Sequence, residues 1–308
     1  MPGGASLVGL VDPCRASWID ALRIPPRSLR ETILWELQTY YHLARDVVLE
    51  RCRLASGRIA AAWRRADPRL PAAVDAFYRQ RLDYAFELLW WHSFGPRDRT
   101  FLSLLPGALA AYRHGARRVL DFGGGVGSHA LVLAAMGYEV TLADISGELL
   151  ELGEWRARIR NRPVRIVHLD RQGLEDVYDV IVAADVLEHL TAPADTLMEL
   201  CSRLRHGGFL FVSMPHGPSS SAPQHISFWG EQLIVDSGPR TVMRFPGDAI
   251  FMSKTGTVRA HGGPPRFAPA MPPRARRQLI PSTSPLLWWQ QTVRWYGVSN
   301  GREHPDAR

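Results

Sequence analysis

The stretch "VLDFGGGVGSH", residues 119–129, decides how this chain is read. Asp121 precedes three consecutive glycines, Gly123, Gly124 and Gly125, and Gly127 follows them at the end of an apolar run. Glycine lets the backbone take positive φ and lets other groups come close to the main chain. Where such a turn opens a helix, the free N–H groups of the first helical turn point at whatever lies beyond it. The stretch therefore predicts a strand, a tight bend and a helix start, with a ligand as the reason for the bend.

Outward from that point the pattern alternates. "RRVLDF", "YEVTLADI", "VRIVHLD", "YDVIVAADV" and "FLFVSMP" are short apolar runs, and "SHALVLAAMG", "GELLELGEWRARIR" and "PADTLMELCSRLRHGG" are helical stretches between them. Such alternation, with strands rich in Val, Ile and Leu, predicts a parallel sheet covered on both faces. "TVMRF" and "AIFMS" are read as two further strands at an antiparallel edge. The expected fold is α/β, a doubly wound and mostly parallel sheet of the seven-stranded type. Three regions follow: a helical region over 1–116 that shapes a substrate pocket, a ligand-binding domain over 117–255, and a Pro/Arg-rich tail over 256–308.

In the first region, "SLRETILWELQTYYHLARDVVLERC" (28–52) places Ser28 and Glu31 at capping-box spacing. Ile33, Leu37, Tyr40 or Tyr41, Ala44 and Val48 then mark one buried face of a single helix. A second helix starts near Pro71, buries Val74, Phe77, Leu82, Phe86 and Leu89 or Trp90, and stops before Gly95. "RTFLSLLPGALAAYRHG" supplies a third.

The 308 residues are 46% hydrophobic and 22% charged, an ordinary globular composition. No apolar run reaches the roughly 20 residues of a membrane span, and the N-terminus lacks the pattern of a signal peptide. Cys14, Cys52 and Cys201 are too few and too scattered for a disulfide framework or a zinc site. A cytoplasmic protein without membrane attachment is the expectation; nothing in the sequence sets the oligomeric state. The net charge of +7 is uneven: 10 basic against 16 acidic residues over 117–238, with the excess of arginine in the flanks. That distribution disfavours a nucleic-acid groove through the ligand-binding domain.

Gly125, Gly127 and Ala130 fit a dinucleotide fingerprint, and Asp144 lies where a ribose-binding acid is expected. Against nucleotide phosphates, Asp121 at the turn is repulsive. The motif D-x-G-G-G-x-G, with its ordered companions over residues 117–214, resembles the class I S-adenosylmethionine-dependent methyltransferases. The resemblance implies S-adenosylmethionine as cofactor. It places Asp121, Phe122, Gly123, Gly124, Gly125 and Gly127 along the methionine portion of that cofactor, and Asp144 on the ribose hydroxyls. It further places Ile145 and Asp170 at the adenine, with Ala184 and Asp185 in contact at the end of the fourth strand.

The activity implied is methyl transfer to the oxygen, nitrogen or carbon of a small-molecule acceptor. A base removing the acceptor's proton assists such a step. Glu188 and His189 in "DVLEH" and His225 in "PQHISFW" are the catalytic candidates, with His216 beside them. Spacings of three and four residues put Asp185, Glu188 and His189 on one side of a helical turn. The string resembles an E-x-x-E-H cluster of ubiquinone-pathway O-methyltransferases associated with a divalent metal, but aspartate replaces its first glutamate and no metal is assigned here. Trp35, Tyr40, Tyr41, Phe77, Tyr78, Trp90 and Trp91 are candidates for a pocket wall. Alternatives are a nicotinamide-dependent oxidoreductase and a non-catalytic cofactor-binding adaptor. RNA or protein acceptors stay open.

Overall fold

The computed structural model describes residues 16–80, 82–94, 115–213, 223–226, 240–245 and 249–253. The expected third N-terminal helix, His216 and the tail from 256 lie outside them. The helices and the sheet belong to one compact unit, Leu10–Thr255.

Seven strands form one sheet: β1 (Arg118–Phe122), β2 (Glu139–Asp144), β3 (Val164–His168), β4 (Tyr178–Ala183), β5 (Leu204–Ser213), β6 (Arg240–Phe245) and β7 (Ala249–Ser253). Their order is β3-β2-β1-β4-β5-β7-β6. The first five are parallel, whereas β7 runs antiparallel to both β5 and β6. This is the α/β sheet with an antiparallel edge that the alternation predicts. Every residue of β4 is buried, so the central strand reads as unbroken apolar sequence rather than alternation. Strand order reverses between β1 and β4, and ligands of such sheets bind at that reversal, beyond the carboxyl ends of the strands.

Four helices precede the sheet: α1 (Leu29–Tyr41), α2 (Arg45–Trp63), α3 (Pro71–Arg79) and α4 (Asp83–His92). Ser28 caps α1 as expected, its hydroxyl accepting the Glu31 N–H at 3.2 Å. The single helix expected over 28–52 is instead two. His42 takes the left-handed conformation at φ 53° and closes α1, while extended Ala44 starts α2 without a side-chain cap. The helix expected from Pro71 is likewise divided at Gln80. Neither break carries a glycine or proline; the first lets α1 fold back on α2, and after the second α4 packs along α2.

The sheet's helices are α5 (Ser128–Ala135), α6 (Gly147–Ile159) and α7 (Pro193–Ser202). One core cluster joins Ile33, Val48, Phe77, Phe86 and Leu89 of the N-terminal helices to Leu131 of α5 and Leu149 of α6. A second cluster, on the α7 side, holds Leu120, Phe122, Ile181 and Leu197. Among the described residues no helix is long and apolar enough to cross a membrane.

A buried ion cluster fastens the N-terminal layer to the sheet. Glu36 of α1 and Arg156 of α6 are both 0% exposed, with Arg156 Nε donating to Glu36 Oε2 at 3.1 Å. Arg160 Nη1 lies 2.5 Å from the other Glu36 oxygen, and its Nη2 donates to the Leu22 carbonyl. Burial pulls the Arg156 guanidinium down to about 10 despite the Glu36 carboxylate beside it.

Packing on α2 gives a direct test. Ile59→Ala, at a site 1% exposed, should lower the unfolding free energy by about 2–5 kcal/mol. Leu54→Ala, at a site 45% exposed on the same helix, should change it by no more than about 0.5 kcal/mol. Equal effects in urea unfolding would contradict the placement of this helix face.

Candidate active site

The glycine turn runs from the end of β1 into α5, and its conformation follows from groups that hold it from below. Gly123 N–H and Gly124 N–H both donate to the Ala143 carbonyl of β2, at 2.7 and 3.3 Å. Gly125 takes φ 51°, a region that non-glycine residues rarely adopt. A Cβ on Gly124 would stand 2.5 Å from both Asp121 Oδ2 and Leu142 Cδ1. These glycines are thus demanded by the protein's own packing. Leu88 of α4 lies over the turn, 3.2 Å from where a Gly125 Cβ would be, so the N-terminal layer reaches the crevice.

Two buried carboxylates complete the turn. Asp121, 1% exposed, accepts the Ala130 N–H at 2.9 Å and so satisfies a free donor in the first turn of α5. It braces the turn from beneath, so its position supports no repulsion of a ligand's phosphates. Burial raises its carboxyl to about 7, with the Ala130 N–H acting in the opposite sense and Asp144 adding to the rise. Asp144 ends β2, where Oδ2 accepts the Gly125 N–H and Oδ1 the Ser146 N–H, both at 2.8 Å. Burial raises its carboxyl too, against these backbone bonds. Each Asp144 oxygen retains a lone pair for a further donor.

Ile145 is half-buried between β2 and α6, and Phe122 packs into the core on the α7 side. Asp170 lies on the exposed turn after β3, with Arg171 4.0 Å away. Ala184 and Asp185 follow β4. Asp185 is left-handed at φ 54°; its N–H donates to Ser213 Oγ, and the Ser213 hydroxyl donates back to its Oδ1, each at 2.6 Å. The helical face expected for Asp185, Glu188 and His189 is therefore absent. Only Leu187–His189 forms a single 3₁₀ turn, and Asp185 is held to β5.

Glu188, His189 and His225 do come together. Their ligand atoms all lie within 4.8 Å of one another, a spacing on which an ion could close. Ile226 N–H donates to the Glu188 carbonyl at 2.8 Å, which ties the segment carrying His225 to the 3₁₀ turn. Glu188 is 0% exposed, and burial, then Asp185, holds its carboxyl well above the ordinary carboxylate range. Burial, followed by His225, lowers His189 to about 4. Tyr78 of α3 places its hydroxyl 2.7 Å from His189 Nδ1 and 3.2 Å from the Gln224 carbonyl. If that hydroxyl donates to Gln224, Nδ1–H donates to it, and Nε2 is left bare toward Glu188, 3.8 Å away. Of the seven aromatic wall candidates Tyr78 touches this cluster; Trp91 is exposed, and Phe77 is core.

The raised Asp121 carboxyl predicts a pH dependence. A folded value of about 7 lies above the unfolded one, so the protonated form favours folding at low pH and that contribution is lost as pH rises through about 7. Asp121→Asn keeps the acceptor for Ala130 without the charge. Its melting temperature relative to the parent should climb from about pH 4 to about pH 7, between the unfolded and folded values, and level off above that. A difference independent of pH would contradict the assigned environment.

Comparison with known proteins places this geometry. Residues 92–244 match the methyltransferase domain family. A glycine/sarcosine N-methyltransferase of Aphanothece halophytica is 29% identical over 134 residues, 41% of this chain and 49% of that protein. A tRNA 5-carboxymethoxyuridine methyltransferase of Escherichia coli K12 is 34% identical over 99 residues, covering 30% and 38%. A ubiquinone biosynthesis O-methyltransferase of Xanthomonas axonopodis pv. citri is 29% identical over 151 residues, covering 44% and 61%. The chain thus spans between about two fifths and three fifths of these relatives' lengths. The match does not favour the oxidoreductase alternative. With the β3-β2-β1-β4-β5-β7-β6 sheet and the glycine turn at its reversal, the matched residues, just under half of the chain, form a methyltransferase domain of the class I S-adenosylmethionine-dependent type.

Proposed function

We propose that this chain transfers a methyl group from S-adenosylmethionine to a small-molecule acceptor. The observation that carries the reading is the convergence of the glycine turn, Asp144 and the β4 end on the strand-order reversal of the sheet. The residues there fit the cofactor: the turn leaves the main chain bare, and Asp144 keeps acceptor capacity for a pair of hydroxyls. When bound, the cofactor supplies a methyl group already activated by its sulfonium.

The chain's own task is then to orient the acceptor and manage its proton. Gly123, Gly124, Gly125 and Gly127 leave the main chain open along the methionine portion, with Asp121 and Phe122 bracing them. Asp144 takes the ribose, Ile145 and Asp170 border the adenine, and Ala184 and Asp185 border the cofactor from β4. His225 is the proton acceptor, and Glu188 with His189 orients it. Tyr78 fixes the neutral tautomer of His189, whose lowered value keeps it uncharged at neutral pH.

The relatives support a small acceptor by their names, one being a glycine/sarcosine and one a ubiquinone-pathway enzyme. The tRNA enzyme sets the competing class, and the acidic balance of 117–238 weighs against it.

Incubation with methyl-labelled S-adenosylmethionine and a panel of phenols, amino acids and bulk tRNA tests the reading. Label is expected in a small molecule; label in tRNA alone would overturn the acceptor class, and no transfer to any acceptor tested would count against the activity. With the responding acceptor, His225→Ala should lower kcat by about 10²-fold or more while S-adenosylhomocysteine still binds. Turnover should survive exhaustive chelation. Loss on chelation, restored by a divalent ion, would make Glu188, His189 and His225 ligands instead of proton carriers.

A further inference from the structure

Arg156 does more than pair with Glu36. Its Nη1 donates to the Val126 carbonyl at 2.6 Å and to the Ser128 hydroxyl at 2.9 Å. Those residues flank Gly127, the left-handed residue that starts α5. One guanidinium therefore grips both sides of the point where the glycine turn becomes a helix, and its charge is balanced by a carboxylate from the N-terminal layer.

Burying ions is expensive, and an apolar pair of similar volume often packs as well or better. What an apolar pair cannot supply is a planar fork that fixes a carbonyl, a hydroxyl and a carboxylate at once. Val126 and Ser128 lie between Gly125, bonded to Asp144, and Ala130, bonded to Asp121. Any shift of this segment moves both carboxylate contacts and reshapes the crevice.

We infer that Glu36 and Arg156 are positioning residues for the cofactor turn, so that the N-terminal helices set cofactor affinity without touching the cofactor. The inference rests on the cofactor reading above. Arg160 marks the contrast: it shares Glu36 but bonds to the Leu22 carbonyl, away from the turn.

The test is calorimetric titration of the full chain with S-adenosylhomocysteine, well below each variant's melting temperature. Glu36→Gln and Arg156→Lys should each raise Kd about tenfold or more. Ser128→Ala, a small change in a buried hydroxyl, should raise it about threefold or more and keeps the test open if the charge variants do not fold. A purely structural cluster would lower melting temperatures and leave Kd within about twofold of the parent in every folded variant; that result overturns the inference. A parent chain that does not bind the nucleoside overturns the cofactor reading and this inference with it.

Discussion

The bend at the end of β1 depends on two carboxylates that capture its N–H groups. Asp121 takes Ala130 N–H and Asp144 takes Gly125 N–H, so donors that a tight turn strands away from water are satisfied. Both carboxylates are buried, and burial works against their charge. Their placement follows from the register that sets Phe122 opposite Ala143, which brings the end of β2 level with the turn. Glycine is required there because the supporting atoms occupy the space a side chain would need.

The N-terminal helices take part in this arrangement at three points. Leu88 covers Gly125, Tyr78 reaches His189, and Glu36 neutralises the guanidinium beneath the turn. The helical layer is thus continuous with the crevice through apolar packing, a neutral hydrogen bond and a buried ion pair. Each contact joins residues distant in the chain, which ties the layer's folding to the shape of the site.

Much of the fold was legible because local patterns and global packing agree. Apolar runs became strands, the glycine string became the turn, and Ser28 capped its helix. Two failures lie where non-glycine residues take left-handed backbone, His42 within the local cap of its own helix and Asp185 on Ser213 of β5. His42 and Asp185 turn left-handed without glycine, dividing one expected helix and removing another helical face. The meeting of Tyr78, His189 and His225 joins segments far apart in sequence, which no spacing rule encodes. Arg156 was hidden for a different reason: with Arg158 and Arg160 beside it in the sequence, nothing local marks the one whose charge is buried.

The central claim is that the turn after β1 and the carboxylate ending β2 together hold a nucleoside at the strand-order reversal. A crystal structure of the full chain with S-adenosylhomocysteine tests it most directly. The account predicts the ligand lying along residues 123–127 with both ribose hydroxyls on Asp144. Density for the nucleoside elsewhere, or ribose hydroxyls bonded to other groups while Asp144 holds only Gly125 and Ser146, would contradict it.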